Sequence, residues 1–349
     1  VNWAYSGGRF SRHPACGHSS AFFGKAAIVL GRALRLAMTN NKSPGITIMN
    51  HRFIVANLLG IMALFTIHAP TSHGEQAFAL SGGGANPQQI VGFQTTTPGV
   101  TTSNQTISGT TGGETLVDID FYPVDRQLYG MGATTGTLYR IDPNTGAAVV
   151  DVTSTIAGPT KIDFNPVADR LRVFAGTQNF RLTPSTFNNA GLTAGAVTAD
   201  GALTYALGDT NEGEIPNLVG AAYTNPIDGI LSTSLYSLDA SLNALILHTG
   251  PPQFSTLTTV GSLSLLGNPY DLGTSVGFDI SRSGAAYITD GNLLFQLALG
   301  SGELTALGAV SQSFAISSLA VMVPEPSSVA LLGIGMLVLG YLGCKRRQK

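Results

Sequence analysis

The chain has 349 residues, 44% of them apolar and only 11% charged, with 43 glycines and a formal net charge of −2. That is material for one large domain or two small ones with many turns, and an all-β fold is expected. Its two cysteines, Cys16 and Cys344, lie near the two ends, so a disulfide scaffold is excluded and folding needs no oxidising compartment.

The near-zero total hides a division of charge. No Asp or Glu precedes Glu75, whereas seven Lys/Arg do; between residues 80 and 323 there are 7 Lys/Arg against 18 Asp/Glu, a net of −11. A domain of that sign repels phosphate backbones, which argues against nucleic acid and leaves cations or neutral glycans as partners.

In chain order, Met49-Asn50-His51-Arg52 and the apolar run Phe53 to Phe65 form the charged and apolar regions of a secretory signal peptide, engaging the Sec translocon. Ala77-Phe78-Ala79 fits an A-x-A cleavage site, so the signal is placed at residues 49–79 with the cut near Ala79. Residues 1–48 then precede the natural start, an over-extended leader. The competing reading is a basic arm in which residues 21–38, with Lys25, Arg32 and Arg35 among apolar residues, lie along a membrane interface.

Between residues 80 and 322 a loose module repeats. A first strand reads Val117-Asp118-Ile119-Asp120-Phe121, then Lys161-Ile162-Asp163-Phe164, Gly220-Ala221-Ala222-Tyr223, Gly277-Phe278-Asp279-Ile280 and Ser318-Leu319-Ala320-Val321, with starts 41 to 59 residues apart. That is the period of a four-stranded propeller blade. Second strands follow at residues 125–131, 169–174 and 284–288. Third strands are read at 137–142, 180–183, 234–239 and 293–297, and fourth strands at 148–150 and 244–247, each alternating apolar with polar. The stretch 90–100 looks like a third strand and its turn with no first strand before it, and 316–321 like a first strand with nothing after it. Pairing the two closes a ring of about five blades and removes free sheet edges. A β-sandwich or an open β-solenoid is the alternative.

Glu114 to Phe121, Gln127 to Met131, Asp163 to Pro166 with Asp169 to Arg172, and Val219 to Asn225 together resemble an exported bacterial family of unknown function with propeller-like repeats. The resemblance supports the fold and supplies no catalytic residues.

Candidate chemistry is sparse. Between residue 79 and the tail His248 is the only histidine and Lys161 the only lysine, so a His/Cys zinc site and a cysteine nucleophile are excluded there, and His248 reads as a surface or strand-end residue. Asp120, Asp163 and Asp279 share one position on three first strands, which line the channel of a propeller; converging oxygens there would hold Ca²⁺. The competing reading has them end strands and satisfy backbone donors. Residues 209–214 form the densest acidic loop, a second Ca²⁺ candidate. The tyrosines at 129, 139, 223, 236 and 287 read as core between blades.

The tail has three ordered parts: Pro324-Glu325-Pro326, an uncharged run over residues 327–344, and Lys345, Arg346, Arg347 and Lys349. About 18 residues at 1.5 Å each span roughly 27 Å, enough for one membrane crossing, and the basic cluster stays cytoplasmic, leaving the domain outside. Residues 323–349 closely resemble the PEP-CTERM sorting signal of Gram-negative bacteria, which an exosortase recognises and processes. The resemblance implies Pro324, Glu325 and Pro326 as the recognition motif, Arg346 and Arg347 as the basic stop, and a surface, exopolysaccharide-matrix or secreted destination. The expectation is therefore an exported, non-catalytic binding or structural protein with no cofactor, whose partners are the exosortase and surface glycans. Its rival is a Ca²⁺-dependent propeller hydrolase of the lactonase or esterase kind.

Overall fold

The computed structural model describes residues 74–84, 86–187 and 191–322. The leader, the charged and apolar parts of the signal peptide and the tail at residues 323–349 lie outside the described residues. Among the described residues no helix is long and apolar enough to cross a membrane.

The described chain is all strand and turn apart from one short 3₁₀ turn, Thr111–Gly113, and its strands gather into five sheets. β1 (Gln76–Gly83), β2 (Asn86–Gln94) and β3 (Thr97–Thr106) begin the first sheet. β4 (Leu116–Phe121), β5 (Leu128–Gly132), β6 (Leu138–Ile141) and β7 (Ala148–Val152) form the second. β8 (Lys161–Asn165), β9 (Arg170–Ala175), β10 (Gln178–Leu182) and β11 (Val197–Ala202) form the third. The fourth comprises β13 (Leu218–Tyr223), β14 (Leu235–Asp239), β15 (Ala244–Thr249) and β16 (Thr256–Ser262), with β12 (Thr204–Tyr205) added parallel to β16. The fifth comprises β19 (Val276–Ile280), β20 (Ala286–Asp290), β21 (Leu293–Leu297) and β22 (Glu303–Ala309). Two short strands, β17 (Ser264–Leu265) and β18 (Asn268–Pro269), cover its outer edge. The last strand, β23 (Ile316–Val321), returns to the first sheet, whose order is β23-β1-β2-β3.

The four main strands of each blade are antiparallel to their neighbours, whereas the added strands β12 and β17 pair parallel with β16 and β22. The five inner strands β23, β4, β8, β13 and β19 pack side by side in a ring. Inner strands are buried along nearly their whole length and read as continuous apolar runs interrupted by Asp. Outer strands such as β7 and β11 expose much of their length and read as alternating or polar. The cores lie between blades: Tyr122 stacks on Phe164 at 4.3 Å, with Tyr129 edge-on at 5.2 Å, joining the second and third blades, and Phe174 stacks on His248 at 5.3 Å, joining the third and fourth. Tyr129, Tyr139 and Tyr223 are buried as expected, whereas Tyr236 is only partly so.

The five-bladed ring with terminal closure agrees with the sequence reading. In detail two readings change. Residues 234–239 and 244–249 are the second and third strands of their blade, with the fourth at Thr256–Ser262, because β14 pairs directly with the inner strand β13. The residues read as a cleavage motif are a strand: β1 lies between β23 and β2, with Ala77 opposite Val321 and Phe93, and Ala79 opposite Leu319 and Val91. Ala77 and Ala79 have no exposed surface, so a cut after Ala79 would remove half of an interior strand from the blade that closes the ring.

Candidate functional site

The inner strands bring Asp120, Asp163 and Asp279 together at the axis, with one carboxylate oxygen of each within 4.8 Å of the others. All three are buried. Among the described residues this is the one grouping of three or more metal-ligating side chains. The equivalent positions on β13 and β23 carry Ala222 and Ala320, so three of five blades contribute an acid.

The backbone around the trio explains its chemistry. The residues that follow these five positions are Phe121, Phe164, Tyr223, Ile280 and Val321, and each donates its N–H to one of the three carboxylates. Asp120 accepts from Phe121 and Phe164, both at 2.7 Å. Asp163 Oδ1 accepts from Tyr223 at 2.9 Å. Asp279 accepts from Ile280 at 2.6 Å and Val321 at 2.5 Å. In each case one bond crosses to the next blade: Asp120 to β8, Asp163 to β13, Asp279 to β23. β4 and β19 follow blades that offer only alanine, and there Asp120 and Asp279 turn their second oxygen to their own strand. Five carboxylate oxygens thus satisfy five inner-edge N–H groups that have no strand partner toward the axis. The sixth, Asp163 Oδ2, accepts none of them.

One layer along the axis, Asp118 accepts the Ile162 N–H at 2.8 Å and Ser318 Oγ accepts that of Ile119 at 3.0 Å, again across blade boundaries. Lys161 Nζ donates to the carbonyls of Val276 (2.9 Å) and Ser317 (2.8 Å) and lies 3.7 Å from Asp118. Its side chain therefore ties three neighbouring inner strands together.

Burial raises the affinity of all four acids for a proton. Asp120 and Asp163 are pushed well above the usual carboxylate range, first by burial and then by neighbouring carboxylates of the trio, against the lowering effect of the N–H bonds they accept. Asp279 is pushed up to about 7, burial again coming first. Asp118 is raised less freely because Lys161 offsets its burial.

Elsewhere the candidates are structural. His248 is buried rather than on the surface, bonded to Ser237 Oγ and the Phe254 carbonyl at 2.8 Å each; burial lowers it to about 3, so its imidazole stays neutral. In the acidic loop Asp209 accepts from Asn211 N and from Thr259 N and Oγ1, and Glu212 from Gly208 N, so these carboxylates brace the loop. Sequence reasoning missed Arg172, which is fully buried and donates to Tyr223 Oη, Asn179 Oδ1, Asp200 Oδ2 and the Pro252 carbonyl. Its partners come from three strands and a loop up to 80 residues away, so no local pattern announces it.

At the end of the ring where the inner strands begin, a cavity of about 480 Å³ opens on the axis. The approach to every inner strand contributes to it, through Leu116, Thr160, Asn217, Thr274 and Ser317, with Lys161 within it and the β1–β2 turn at its side. Its polar lining is mostly uncharged. The sorting-motif residues Pro324, Glu325, Pro326, Arg346 and Arg347 lie outside the described residues, but their point of departure is fixed. Met322, one residue past β23, lines a second cavity of about 460 Å³ at the opposite end of the ring.

These features define a five-bladed β-propeller whose axis is stapled by shared carboxylates and whose ring is closed by β23 against β1. The chain belongs to the family described as a domain of unknown function (DUF4394), which matches residues 89–320, and it carries a PEP-CTERM protein-sorting motif at residues 323–347. That motif implies processing by an exosortase and an exported, cell-envelope-associated protein. Among solved structures it is similar to a chain of a nidogen/laminin complex (12% identity, 71% of this chain and 98% of that one, TM-score 0.37). It is also similar to a protein of unknown function from Bacteroides thetaiotaomicron (16% identity, 73% and 64%, TM-score 0.42). A third likeness is to a symmetrical protein from work on de novo evolutionary emergence (13% identity, 72% and 100%, TM-score 0.43). No curated protein matches the chain.

Proposed function

We propose that this is an exported, non-catalytic binding or structural propeller that an exosortase sorts to the cell surface or its polysaccharide matrix. The observation that carries this reading is the use made of the axial carboxylates: five of their six oxygens hold the inner strands together, which leaves them poorly suited to act as acid and base toward a substrate. The mouth cavity is the surface left for binding. Its lining mixes Thr, Asn, Gln, Ser and Gly with Leu, Val and Pro, and Lys161 is its one charged residue, a mostly uncharged surface that favours a hydroxyl-rich, uncharged ligand such as a surface glycan or exopolysaccharide. Co-sedimentation of the domain spanning residues 75–322 with matrix polysaccharide from an exopolysaccharide-producing bacterium tests this. Asn217→Arg with Thr274→Arg, both at exposed rim positions, is expected to abolish binding without changing the melting temperature. Equal binding by the double variant would refute the mouth as the site.

One observation favours a second reading, a Ca²⁺-dependent hydrolase of the lactonase or esterase kind. The trio is an all-oxygen donor set of the type hard cations prefer, with its members within 4.8 Å. Lactone or ester hydrolysis that requires Ca²⁺ and disappears in Asp163→Asn would support it.

A further inference from the structure

We infer that the signal peptide is removed by hydrolysis of the Gly74–Glu75 bond, so that the mature chain begins at Glu75, one residue before β1. The inference rests on the export reading and fixes where export ends. A cut after Ala79 would leave β23 and β2 facing a gap. Phe93, Val91, Val321 and Leu319, all buried, would lose their strand partners on β1, and the buried side chains of Ala77, Phe78 and Ala79 would go with them. Buried backbone groups left without partners are costly, and several at once would compete with the whole margin by which a typical domain stays folded. The cut must therefore fall before Gln76.

Signal peptidases select small side chains at the first and third positions before the bond. Counting Ala, Gly and Ser as small, one such pair lies between the end of the apolar run at Phe65 and the start of β1: Ser72 and Gly74. Hydrolysis there adds water across the bond, leaving a carboxylate on Gly74 and an ammonium on Glu75.

The folded domain suits that ending. Glu75 already belongs to the sheet edge, its N–H donating to Thr95 Oγ1 at 3.0 Å and its carbonyl accepting from Thr95 N at 2.9 Å. Its Oε2 is buried without a donor. A terminal ammonium at Glu75 brings additional N–H donors and a positive charge to the residue that carries that oxygen, whereas the uncut chain supplies a single amide N–H. Gly74, by contrast, is crowded: a Cβ there would lie 2.3 Å from Thr96 Oγ1, and processing removes the residue altogether.

The test is the N-terminal sequence and intact mass of the full chain expressed with its own signal and recovered from outside the cytoplasmic membrane. The expected N-terminus is Glu75, and Ser72→Leu should eliminate that species in favour of precursor. An N-terminus at Leu80, or anywhere inside β1, overturns the site while leaving export intact. A chain that retains residues 53–65 and stays in the cytoplasm overturns the export reading itself. As a second measurement, a chain made to start at Glu75 should melt in one cooperative transition and one made to start at Leu80 should not; equal melting temperatures would overturn the inference independently of processing.

Discussion

Replacing Asp163 by Asn separates the two jobs of the axial trio. Asp163 uses only Oδ1 for a strand N–H, so an amide keeps the bond to Tyr223 while its NH₂ takes the place of the remaining oxygen beside Asp120 and Asp279. Two unit charges no more than 4.8 Å apart repel by at least about 3.5 kcal/mol at an effective dielectric of 20. All three carboxyls are raised, so every ionised pair among them carries this repulsion, and the substitution takes one of the three members out of it. Part of that repulsion is already relieved by protons that the raised carboxyls hold, so a gain of about 2 kcal/mol is expected. For a domain of this size that raises the melting temperature by roughly 4–8 °C.

The sign follows from the direction of the shifts. These carboxyls bind protons more tightly folded than unfolded, so their contribution is fully present below about pH 3.8. It is lost as the pH rises through their folded values, about 7 for Asp279. Wild type should lose more stability than Asp163→Asn as the pH rises from about 3.8 to 8, and the two should converge below about pH 3.8. Thermal melts in EDTA at several pH values read this directly. A variant less stable than wild type at pH 8 would refute the reasoning, because it would mean that the third charge is needed rather than tolerated.

Removing the guanidinium with Arg172→Met leaves Asp200 held by Arg181 but strips donors from Tyr223, Asn179 and the Pro252 carbonyl; a loss of about 3 kcal/mol in urea denaturation is expected. Lys161→Met should cost about 3–5 kcal/mol, since it leaves Asp118 buried without its cation and two carbonyls without a donor. His248 should show no imidazole titration by NMR between pH 8 and 5. Its lowered pKa means that its contribution to stability is present above about 6.5 and is lost as the pH falls toward 3, opposite in sign to the trio. Ending the chain before β23 opens the ring and bares β1, so size-exclusion chromatography should show oligomers in place of monomer.

The ring was legible because inner strands carry a largely apolar run repeated about every fifty residues, joined in three of the five by an aspartate at a fixed offset. The aspartates could be placed at the axis for the same reason. Their role was harder to see, because it depends on N–H groups of the next blade and on Ala222 and Ala320, which matter only once the ring is closed. At β1 two signals coincide: Ala77-Phe78-Ala79 has the small residues a peptidase selects and also the small, apolar side chains that an interior strand packs between two neighbours. Residues 234–239 were shifted by one strand because their alternation fits either position; only direct pairing with β13 decides. The Arg172 network left no trace because its partners are joined by folding alone.

The claim that the axial acids serve ring closure rather than chemistry is tested most directly by melting the wild-type domain, residues 75–322, at pH 7 in EDTA and in millimolar Ca²⁺. The expected result is the same melting temperature in both. A large rise in Ca²⁺, equivalent to about 4 kcal/mol at a thousandfold excess over the dissociation constant, and its loss in Asp163→Asn, would contradict the account and turn the trio into a metal centre.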